Sequence, residues 1–291
     1  MAALENRWDR TFRYIVIVIV AIMVLLCLYP LVYVISNSFS DPTSVLKQEV
    51  YLLPKGFSMG AYKLVFENHQ VWTSYANTIY YTLMGTAMNL FTTLLFAYPL
   101  SRSDFSGRRF FLVMITITMF FGGGLIPLFI IINSLGLYDS LWAVLLPSAI
   151  STYNVIITRT FLQSLPVSLQ ESAMLDGCND IRILVSIVLP LSMPIIAVVG
   201  LYSAVSFWNM YFLPMVFTPS SDKHPLQLYL MKIVIQNSQE GLGSAQGYER
   251  LMSGAQLKYA VIMVSILPII CVYPFLKKYF IKGVMIGALK G

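Results

Sequence analysis

Six long apolar runs constrain this chain more than any other feature of its sequence. Each run is close to the roughly 20 residues that a helix needs to cross a bilayer. The runs cover residues 14–34, 72–97, 110–132, 141–161, 191–215 and 259–279. Their only charged residues are Arg159, Lys277 and Lys278, near ends from which a long side chain can reach the headgroups. We therefore predict an all-α integral membrane protein with six transmembrane helices, in which residues 1–291 form a single membrane domain.

The overall composition supports this prediction. Hydrophobic residues make up 57% of the chain and charged residues 11%, and the mean hydropathy is +0.73, whereas about 25% of a typical soluble domain is charged. Arg7, Arg10 and Arg13 precede the first run, as in a signal peptide. That run is too long for a signal peptide's apolar segment and lacks a clear cleavage site, so we expect it to be retained.

The positive charges predict the orientation of the spans. With the N-terminus inside, twelve of the 19 Lys and Arg residues fall on the inner side, together with six of the 13 acidic residues. The net charge of +6 then lies wholly on that side, which is the positive-inside pattern. We therefore predict a bacterial cytoplasmic membrane protein with both termini in the cytoplasm. The excess of Lys and Arg over Asp and Glu indicates contact with membrane lipid, and no motif indicates nucleic-acid binding.

The sequence shows no means of powering transport by itself. Apart from the three residues near span ends, the runs contain no ionisable group of the kind that proton- and ion-driven transporters use at membrane depth. The chain has no G-x-x-x-x-G-K-[ST] motif to hold a nucleotide. Its three cysteines and two histidines lack the spacing of a disulfide or a metal site. If the chain takes part in driven transport, another subunit supplies the energy, and we predict no cofactor or metal in this chain.

A polar break, residues 166–190, separates the fourth and fifth runs. Ser168 and Glu171 fit a capping box, which predicts a helix beginning near Leu169. Gly177 can take the left-handed conformation that ends a helix. Apolar residues at helical spacing then predict one face of a second helix, formed by Ile181, Leu184, Val185 and Val188.

Pro190 is compatible with the first turn of the next span, because the N–H groups of a first turn have no acceptor within the helix and proline lacks this group. The local sequence pattern alone is also compatible with an ordinary cytoplasmic loop that contains an amphipathic helix on the membrane surface. The combination is more specific, because in order and spacing it resembles the E-A-A-x-x-x-G loop of permease subunits of ABC-type importers. The residues that carry this resemblance are Glu171, Ala173, Asp176, Gly177, Ile187, Leu189, Pro190 and Pro194.

In that family the loop forms coupling helices that dock in a cleft of a cytoplasmic ATPase subunit. The resemblance implies the type I ABC importer permease fold, with residues 166–190 as the coupling loop. It also implies a set of ATPase-contacting residues: Glu171, Ser172, Ala173, Asp176 and Gly177. Ser172 stands where the family motif has alanine, and a residue of this size still suits a close contact.

Other segments resemble carbohydrate importers of the maltose-permease type. They are AYPLSR at 97–102, FFGGGLIP ending at Pro127, FLQSLP at 161–166, Trp208-Asn209 and KGVMIGALKG at 282–291. FFGGGLIP followed by Leu135-Gly136-Leu137 resembles the subgroup associated with oligosaccharides and polysaccharide fragments. The resemblance implies a second permease subunit, two ATPase subunits that bind ATP and Mg, and an extracellular or lipid-anchored solute-binding protein.

A sugar path through the spans would use aromatic rings, which stack on C–H faces, and amides, which bond hydroxyls. The candidate residues are Trp208, Asn209, Tyr211, Tyr153, Asn154, Asn77 and Tyr80. The alternative for each is packing, because aromatics in spans often sit at interfaces and amides often bond neighbouring helices.

Three further segments are open to interpretation. Gly122, Gly123 and Gly124 predict either a hinge in the third span or close helix packing. The outer segments 38–71 and 217–258 predict short helices over 58–66 and, on the surface, 226–235. The second of these outer segments resembles the loop that meets the solute-binding protein in the family, although a plain connection is the alternative.

Three classes of function are compared. A permease subunit for oligosaccharides or polysaccharide fragments is favoured. A permease for a non-sugar solute such as peptide or phosphate shares the coupling loop, but not Trp208-Asn209 or the C-terminal segment. A membrane enzyme or ion channel would need a catalytic constellation or a charged pore, and the sequence contains neither.

Overall fold

The computed structural model describes residues 7–239 and 254–271, and the regular elements in these ranges are helices. An isolated antiparallel bridge joins Ser40 and Phe57, and no strand forms in the described ranges. The chain divides into two compact units. One unit contains described residues 7–69, 230–239 and 254–268, and the other contains residues 70–229 and 269–271.

The described elements of the first 69 residues are α1 (Arg7–Ser38), α2 (Pro42–Leu46) and α3 (Gly60–Glu67). Later in the chain come α4 (His69–Ser101), α5 (Arg108–Phe120), α6 (Leu125–Ser134), α7 (Trp142–Leu145), α8 (Thr152–Leu162), α9 (Val167–Leu175), α10 (Asp180–Ile183), a π-helical turn (Leu184–Val188), α11 (Leu189–Leu191), α12 (Met193–Trp208), α13 (Phe212–Phe217), a 3₁₀ turn (Ser221–Lys223), α14 (Leu226–Gln239) and α15 (Gly254–Cys271).

The first unit contains the long α1, whose 32 residues include the predicted span 14–34. Asp41 begins α2, because its carboxylate accepts the Thr43 N–H at 3.0 Å and Pro42 occupies the first turn. The helix predicted over 58–66 is observed as α3, two residues later. The side-chain amide of Gln256 is buried and donates to the carbonyls of Ser38 and Ser58, both at 3.0 Å.

In the described ranges, three helices are long and apolar enough to cross a membrane: α1, α4 and α15. Counting two strongly bent helix pairs as one span each raises the number to five. The first two predicted spans are therefore each found within one continuous helix. The sixth is found as far as Cys271, and its remainder, 272–279, lies outside the described residues, as does the 282–291 segment.

The fourth predicted span is wrong as a single helix. Residues 141–161 form the four-residue α7, a turn, and the eleven-residue α8. Pro147 lies in that turn. In a continuous helix its ring would clash with the preceding turn, and it has no N–H to donate. The break leaves backbone carbonyls that need other donors.

The third predicted span is broken at its glycines. Helices α5 and α6 meet at 111° across residues 121–124. Side chains added at Gly122 or Gly123 would meet nothing within 4 Å, and Gly124 has φ +82°. The structure therefore shows a break at these glycines, and no described residue of this chain packs against Gly122 or Gly123. Whether the break acts as a hinge stays a prediction.

The fifth predicted span begins and ends differently from the prediction. Pro190 lies in the short α11, and it is Pro194 that occupies the first turn of α12, after a bend of 81°. Pro190 thus lies in a first helical turn, as expected, but the long helix of the span begins at Met193. Helix α12 ends at Trp208, so the predicted run to 215 continues as the separate α13.

Helix α4 packs closely on α12 at one glycine. A Cβ added at Gly85 would lie 2.4 Å from the ring of Phe207, which is itself buried with Tyr81, Val144 and Leu145. Only the absent side chain of glycine permits this separation. The two helices are therefore held in contact near the middle of α4.

The helix predicted at 226–235 is observed, but the prediction that it lies on the surface is wrong. Helix α14 begins at Leu226 as predicted, but Leu226 and Leu228 are fully buried. The Leu226 N–H donates to Thr78 Oγ1 on α4 at 2.8 Å. The start of α14 is therefore part of the core of the second unit.

Candidate coupling site and solute path

Helix α9, the first helix of the predicted coupling loop, begins without the predicted capping box. Its N-cap is Pro166, and no side chain caps it. Leu169 N–H donates to the Pro166 carbonyl, so Ser168 already lies inside the first turn, where its hydroxyl cannot act as the cap. The helix therefore begins at Val167 rather than near Leu169, and the capping-box prediction is wrong.

The end of α9 is as predicted. Gly177 has φ +77°, in the left-handed region that favours glycine. Its N–H donates to Met174 O at 3.0 Å, and the Cys178 N–H donates to Ala173 O at 3.0 Å. These two bonds form a Schellman motif, which satisfies the last carbonyls of the helix and reverses the chain.

Helix α9 presents one face outward and is anchored by another. Glu171, Ser172, Asp176 and Gly177 are exposed. Ala173 is only 7% exposed and belongs to a buried cluster that contains Leu162, Ile183 and Val188. Its side chain therefore seats α9 on the helix bundle, and the other four predicted residues form the accessible surface.

The second segment of the coupling loop differs from the predicted amphipathic helix. Asn179 caps α10 by accepting the Arg182 N–H at 2.9 Å, and the chain then passes into the π-helical turn. Ile181 and Val185 are 73% and 55% exposed, whereas Ile183 and Val188 are buried. Two of the four residues of the predicted apolar face are therefore confirmed, because Val188 is buried and Leu184 packs against the same cluster. The π-helical turn brings Ile183 and Val188, five residues apart, to that cluster together.

Arg102 connects this segment to the end of α4. Its guanidinium donates to both carboxylate oxygens of Asp104, at 2.9 and 2.6 Å, and to Asp180 Oδ1 at 2.9 Å. It also donates to the hydroxyl of Tyr98 at 3.3 Å. The hydrogen bonds with Asp104 raise the pKa of the Arg102 guanidinium and lower the pKa of the Asp104 carboxyl.

Sequence reasoning did not identify this cluster, because its two sides are 78 residues apart. A cleft of about 360 Å³ lies beside it, between α9 and the segment after α4. The cleft is lined by residues that include Arg102, Asp104, Arg108, Gln170, Glu171 and Met174. Glu171 thus lines this polar cleft.

A buried polar cluster lies between α4, α8 and α12. Asn154 Nδ2 donates to Asn89 Oδ1 at 2.8 Å and to Ser203 Oγ at 3.2 Å, and Ser203 donates to Asn89 Oδ1 at 2.8 Å. Asn89 and Thr92 also donate to the carbonyl of Ala149, at 3.3 and 2.5 Å. The bonds from Asn89 and Thr92 satisfy a carbonyl freed by the break before α8, as an apolar environment requires.

A cavity of about 500 Å³ adjoins this cluster. Tyr153 and Tyr202 both line it, and their ring centroids are 6.4 Å apart. The described lining includes the hydroxyls of Ser148, Ser151 and Ser206 and contains no charged side chain. Tyr153 was predicted from sequence, whereas Tyr202 was missed, because nothing in the apolar α12 distinguishes it from a packing residue.

The remaining solute-path candidates are not brought together at this cavity. The Trp208 ring lies edge-on to Tyr75, and its buried Nε1 finds no hydrogen-bond partner among the described residues. Asn209 donates to Val205 O within its own helix at 2.8 Å. Tyr211 and Tyr80 are exposed.

Two of the predicted amides are engaged inside the chain. Asn77 donates to the carbonyls of Asp222 and His224, at 2.5 and 3.2 Å. Asn154 is buried in the cluster described above. Both arrangements match the alternative that amides hold neighbouring elements together.

A second ionic cluster fixes the segment after α13. Asp139, which has φ +58°, accepts from the Ser220 hydroxyl at 2.5 Å and from Lys223 Nζ at 2.9 Å. The Ser220 hydroxyl, followed by Lys223, lowers the pKa of the Asp139 carboxyl. This cluster also went unnoticed in the sequence, because Asp139 lies 84 residues from Lys223.

Comparison with known proteins identifies the family. Residues 89–286 match the family described as the inner membrane component of binding-protein-dependent transport systems. The chain belongs to this family. It is therefore the multi-pass membrane component of a bacterial transport system and a transport subunit rather than an enzyme.

Individual permease subunits resemble the chain over nearly its whole length. It is 40% identical to the polygalacturonan/rhamnogalacturonan transport system permease protein YtcP of Bacillus subtilis, over 97% of this chain and 99% of that protein. It is 28% identical to the arabinooligosaccharides transport system permease protein AraQ of the same organism, over 92% of each chain.

The fold is likewise that of a permease of known structure. A chain of a bacterial ABC transporter involved in the import of the acidic polysaccharide alginate superposes with a TM-score of 0.87 and 36% identity. The match covers 96% of this chain and all of that chain. The resemblance to permease subunits of sugar importers, first drawn from sequence motifs, is confirmed.

Proposed function

We propose that this chain is the permease subunit of an ATP-driven importer that carries oligosaccharides or polysaccharide fragments across the bacterial cytoplasmic membrane. The observation that carries the proposal is the exposed, anchored turn of α9 at Gly177, in a chain whose relatives are named for such sugars. An accessible helix seated on a membrane bundle is suited to receive force from outside the membrane.

The proposed topology has six spans, both termini in the cytoplasm and one domain over residues 1–291. The bent pair α5 and α6 forms the third span, the interrupted α7 and α8 form the fourth, and α12 with α13 forms the fifth. The distribution of positive charge supports this orientation. It assigns the segment 101–108 and the coupling loop to the cytoplasm.

In the proposed assembly, the coupling loop docks on an ATPase subunit. Glu171, Ser172, Asp176 and Gly177 form the contact, and Ala173 holds α9 against the spans. A second permease and two ATPase subunits complete the membrane complex. ATP and Mg²⁺ bind to the ATPase subunits, so this chain needs no cofactor or metal of its own.

The proposed solute path uses the cavity beside the buried polar cluster. Tyr153 and Tyr202 offer ring faces to a sugar, and the serine hydroxyls around them suit its hydroxyl groups. Trp208 on α12, Asn209 and Tyr211 between α12 and α13, and Tyr80 on α4 lie outside this cavity and are proposed to contact the sugar elsewhere along its path. An extracellular or lipid-anchored solute-binding protein delivers the sugar at the outer segment 217–258.

Transport then follows from two coupled equilibria. Closure of the ATPase pair moves the docked loops and changes the spans from inward-open to outward-open. Moving such an equilibrium from 1:99 to 99:1 requires about 5.5 kcal/mol of differential binding. Nucleotide and a docked binding protein together supply this difference.

Uptake in a deletion strain tests the function. Cells lacking this chain are given labelled oligomers of galacturonan, arabinan and alginate, and separately a labelled peptide and phosphate. We expect uptake of at least one sugar to be lost and to return with the restored gene. Unchanged uptake of every sugar, together with loss of peptide or phosphate uptake, would contradict the proposal.

A further inference from the structure

Arg102 is an enclosed cation at the junction between α4 and the coupling loop. Its side chain is 13% exposed, although both of its carboxylate partners are largely exposed. The planar guanidinium is directed to Asp104, Asp180 and Tyr98 at once. A fork of fixed geometry with several partners holds position better than a single flexible ion pair does.

The two carboxylates have different places in the chain. Asp104 lies two residues after Arg102, so this pair closes a local turn. Asp180 begins α10 in the coupling loop, 78 residues away. The Tyr98 hydroxyl, on α4, also approaches the Asp180 carbonyl at 3.4 Å. The contacts at Asp180 therefore bridge two parts of the chain, whereas those at Asp104 bridge none.

Helix α4 connects this junction to the rest of the second unit. Its 33 residues form one helix about 50 Å long at 1.5 Å per residue. Gly85 lies against Phe207 of α12, and Asn89 bonds the residues beside the tyrosine-lined cavity. Near its other end, Asn77 holds the backbone of residues 222–224. A displacement of one end of α4 is therefore transmitted to both of these regions.

We propose that Arg102 is a positioning residue through which movement of the coupling loop displaces α4. This inference rests on the proposed function. The loop pushes on Asp180, Arg102 carries the displacement into α4, and α4 moves the polar cluster and the cavity wall. The pair with Asp104 closes a local turn on the α4 side of the junction and lies outside this link, since Asp180 and Tyr98 still hold the guanidinium without it.

A matched pair of alanine variants tests the proposal. Asp180→Ala removes the bridging carboxylate, and Asp104→Ala removes a carboxylate of the same kind from the same arginine. Asp104 and Asp180 are 64% and 69% exposed, so both variants are expected to fold, because exposed ion pairs contribute little to stability. Asp180→Glu keeps the charge and serves as the conservative variant.

The assay uses the complete importer in proteoliposomes, with both permeases, the ATPase subunits and the solute-binding protein. ATP hydrolysis and sugar uptake are measured on equal amounts of assembled complex, with the galacturonan, arabinan or alginate oligomer that the wild type imports. The ratio of ATP hydrolysed to sugar imported is the readout, because a merely structural defect lowers both quantities together.

We expect Asp180→Ala to raise this ratio by about 2- to 30-fold, the range for residues that modulate coupling between sites. Asp104→Ala and Asp180→Glu should keep the wild-type ratio. The double variant Arg102→Gln with Asp180→Ala should be no worse than Asp180→Ala alone, because both changes break the same link.

The inference is overturned if Asp180→Ala keeps the wild-type ratio, or if Asp104→Ala raises the ratio as much. A double variant that is clearly worse than Asp180→Ala alone would also overturn it, since the two residues would then act separately. Wild-type proteoliposomes that import none of the oligomers on addition of ATP would overturn the proposed function itself, and this inference with it.

Discussion

Replacing Gly177 by valine perturbs the backbone of the coupling loop without filling any space in this chain. Gly177 has φ +77°, and a Cβ added there meets nothing within 4 Å. The cost is therefore conformational strain, about 1–2 kcal/mol for an L-residue in the left-handed region. At 1.36 kcal/mol per factor of ten, this corresponds to a roughly 5- to 30-fold smaller equilibrium constant for forming the native turn.

The loss of the turn should leave the rest of the subunit in place. Ala173 and Ile183 anchor the two sides of the loop in a buried cluster that the substitution does not touch. We therefore expect Gly177→Val to reach the membrane in wild-type amounts, with sugar uptake reduced by up to about 30-fold, the largest loss of the native turn that this strain can cause. Immunoblots of membranes and uptake by whole cells measure the two quantities.

Gly177→Asn is the matched control, because asparagine tolerates the left-handed conformation better than other residues with side chains. We expect its uptake to lie close to the wild type. Wild-type uptake by Gly177→Val would refute the assignment of this loop. Equal losses in the valine and asparagine variants would instead refute the backbone argument, since any side chain would then suffice to block docking.

Three further predictions concern stability and the solute path. Gly85→Ala forces a Cβ against the ring of Phe207 and should cost about 1–3 kcal/mol, seen as a lower unfolding temperature in detergent; an unchanged temperature contradicts the close packing. Asn154→Leu should cost a similar 1–3 kcal/mol of stability because its partners lose a buried donor. Tyr153→Ala should impair uptake and leave the unfolding temperature unchanged. If Asn154→Leu impaired only uptake and Tyr153→Ala only stability, the two residues would have the opposite roles. Hydrogen bonding lowers the pKa of Asp139, so the ionised carboxylate stabilises the fold above the ordinary value of 3.8, and this stabilisation is lost as the pH falls through the lower folded value. Asp139→Asn should therefore lower the unfolding temperature at neutral pH, and the variant and the wild type should unfold at the same temperature in acid. A difference in unfolding temperature that persists below the folded pKa contradicts this.

The sequence predicted those features that depend on composition and on single special residues. Long apolar runs predicted α1 and α4, because a span without charge has few alternatives to a helix in lipid. Gly177 predicted the end of α9, and one of the two interpretations of the three glycines at 122–124, a hinge, drew attention to the place where the structure has a break. In each case the local chemistry of one residue type decides the conformation.

Features that depend on register or on distant partners were missed or wrong. The π-helical turn at Leu184–Val188 brings Ile183 and Val188, five residues apart, to one buried cluster, and no apolar pattern distinguishes it from an α-helix. The pairs formed by Arg102 with Asp180 and by Asp139 with Lys223 join residues far apart in sequence. Pro147 could have indicated the break in the fourth span, since proline inside a helix disrupts it.

Cross-linking of α9 to the ATPase subunit tests the central claim that a separate ATPase drives this chain through its coupling loop. In a background without Cys27, Cys178 and Cys271, Ser172→Cys offers an exposed thiol, and Ala173→Cys offers a buried one as the control. We predict an adduct between the Ser172→Cys subunit and the ATPase subunit in the assembled importer, and none from Ala173→Cys. Absence of an adduct at Ser172→Cys in an importer that hydrolyses ATP and imports sugar would contradict the claim.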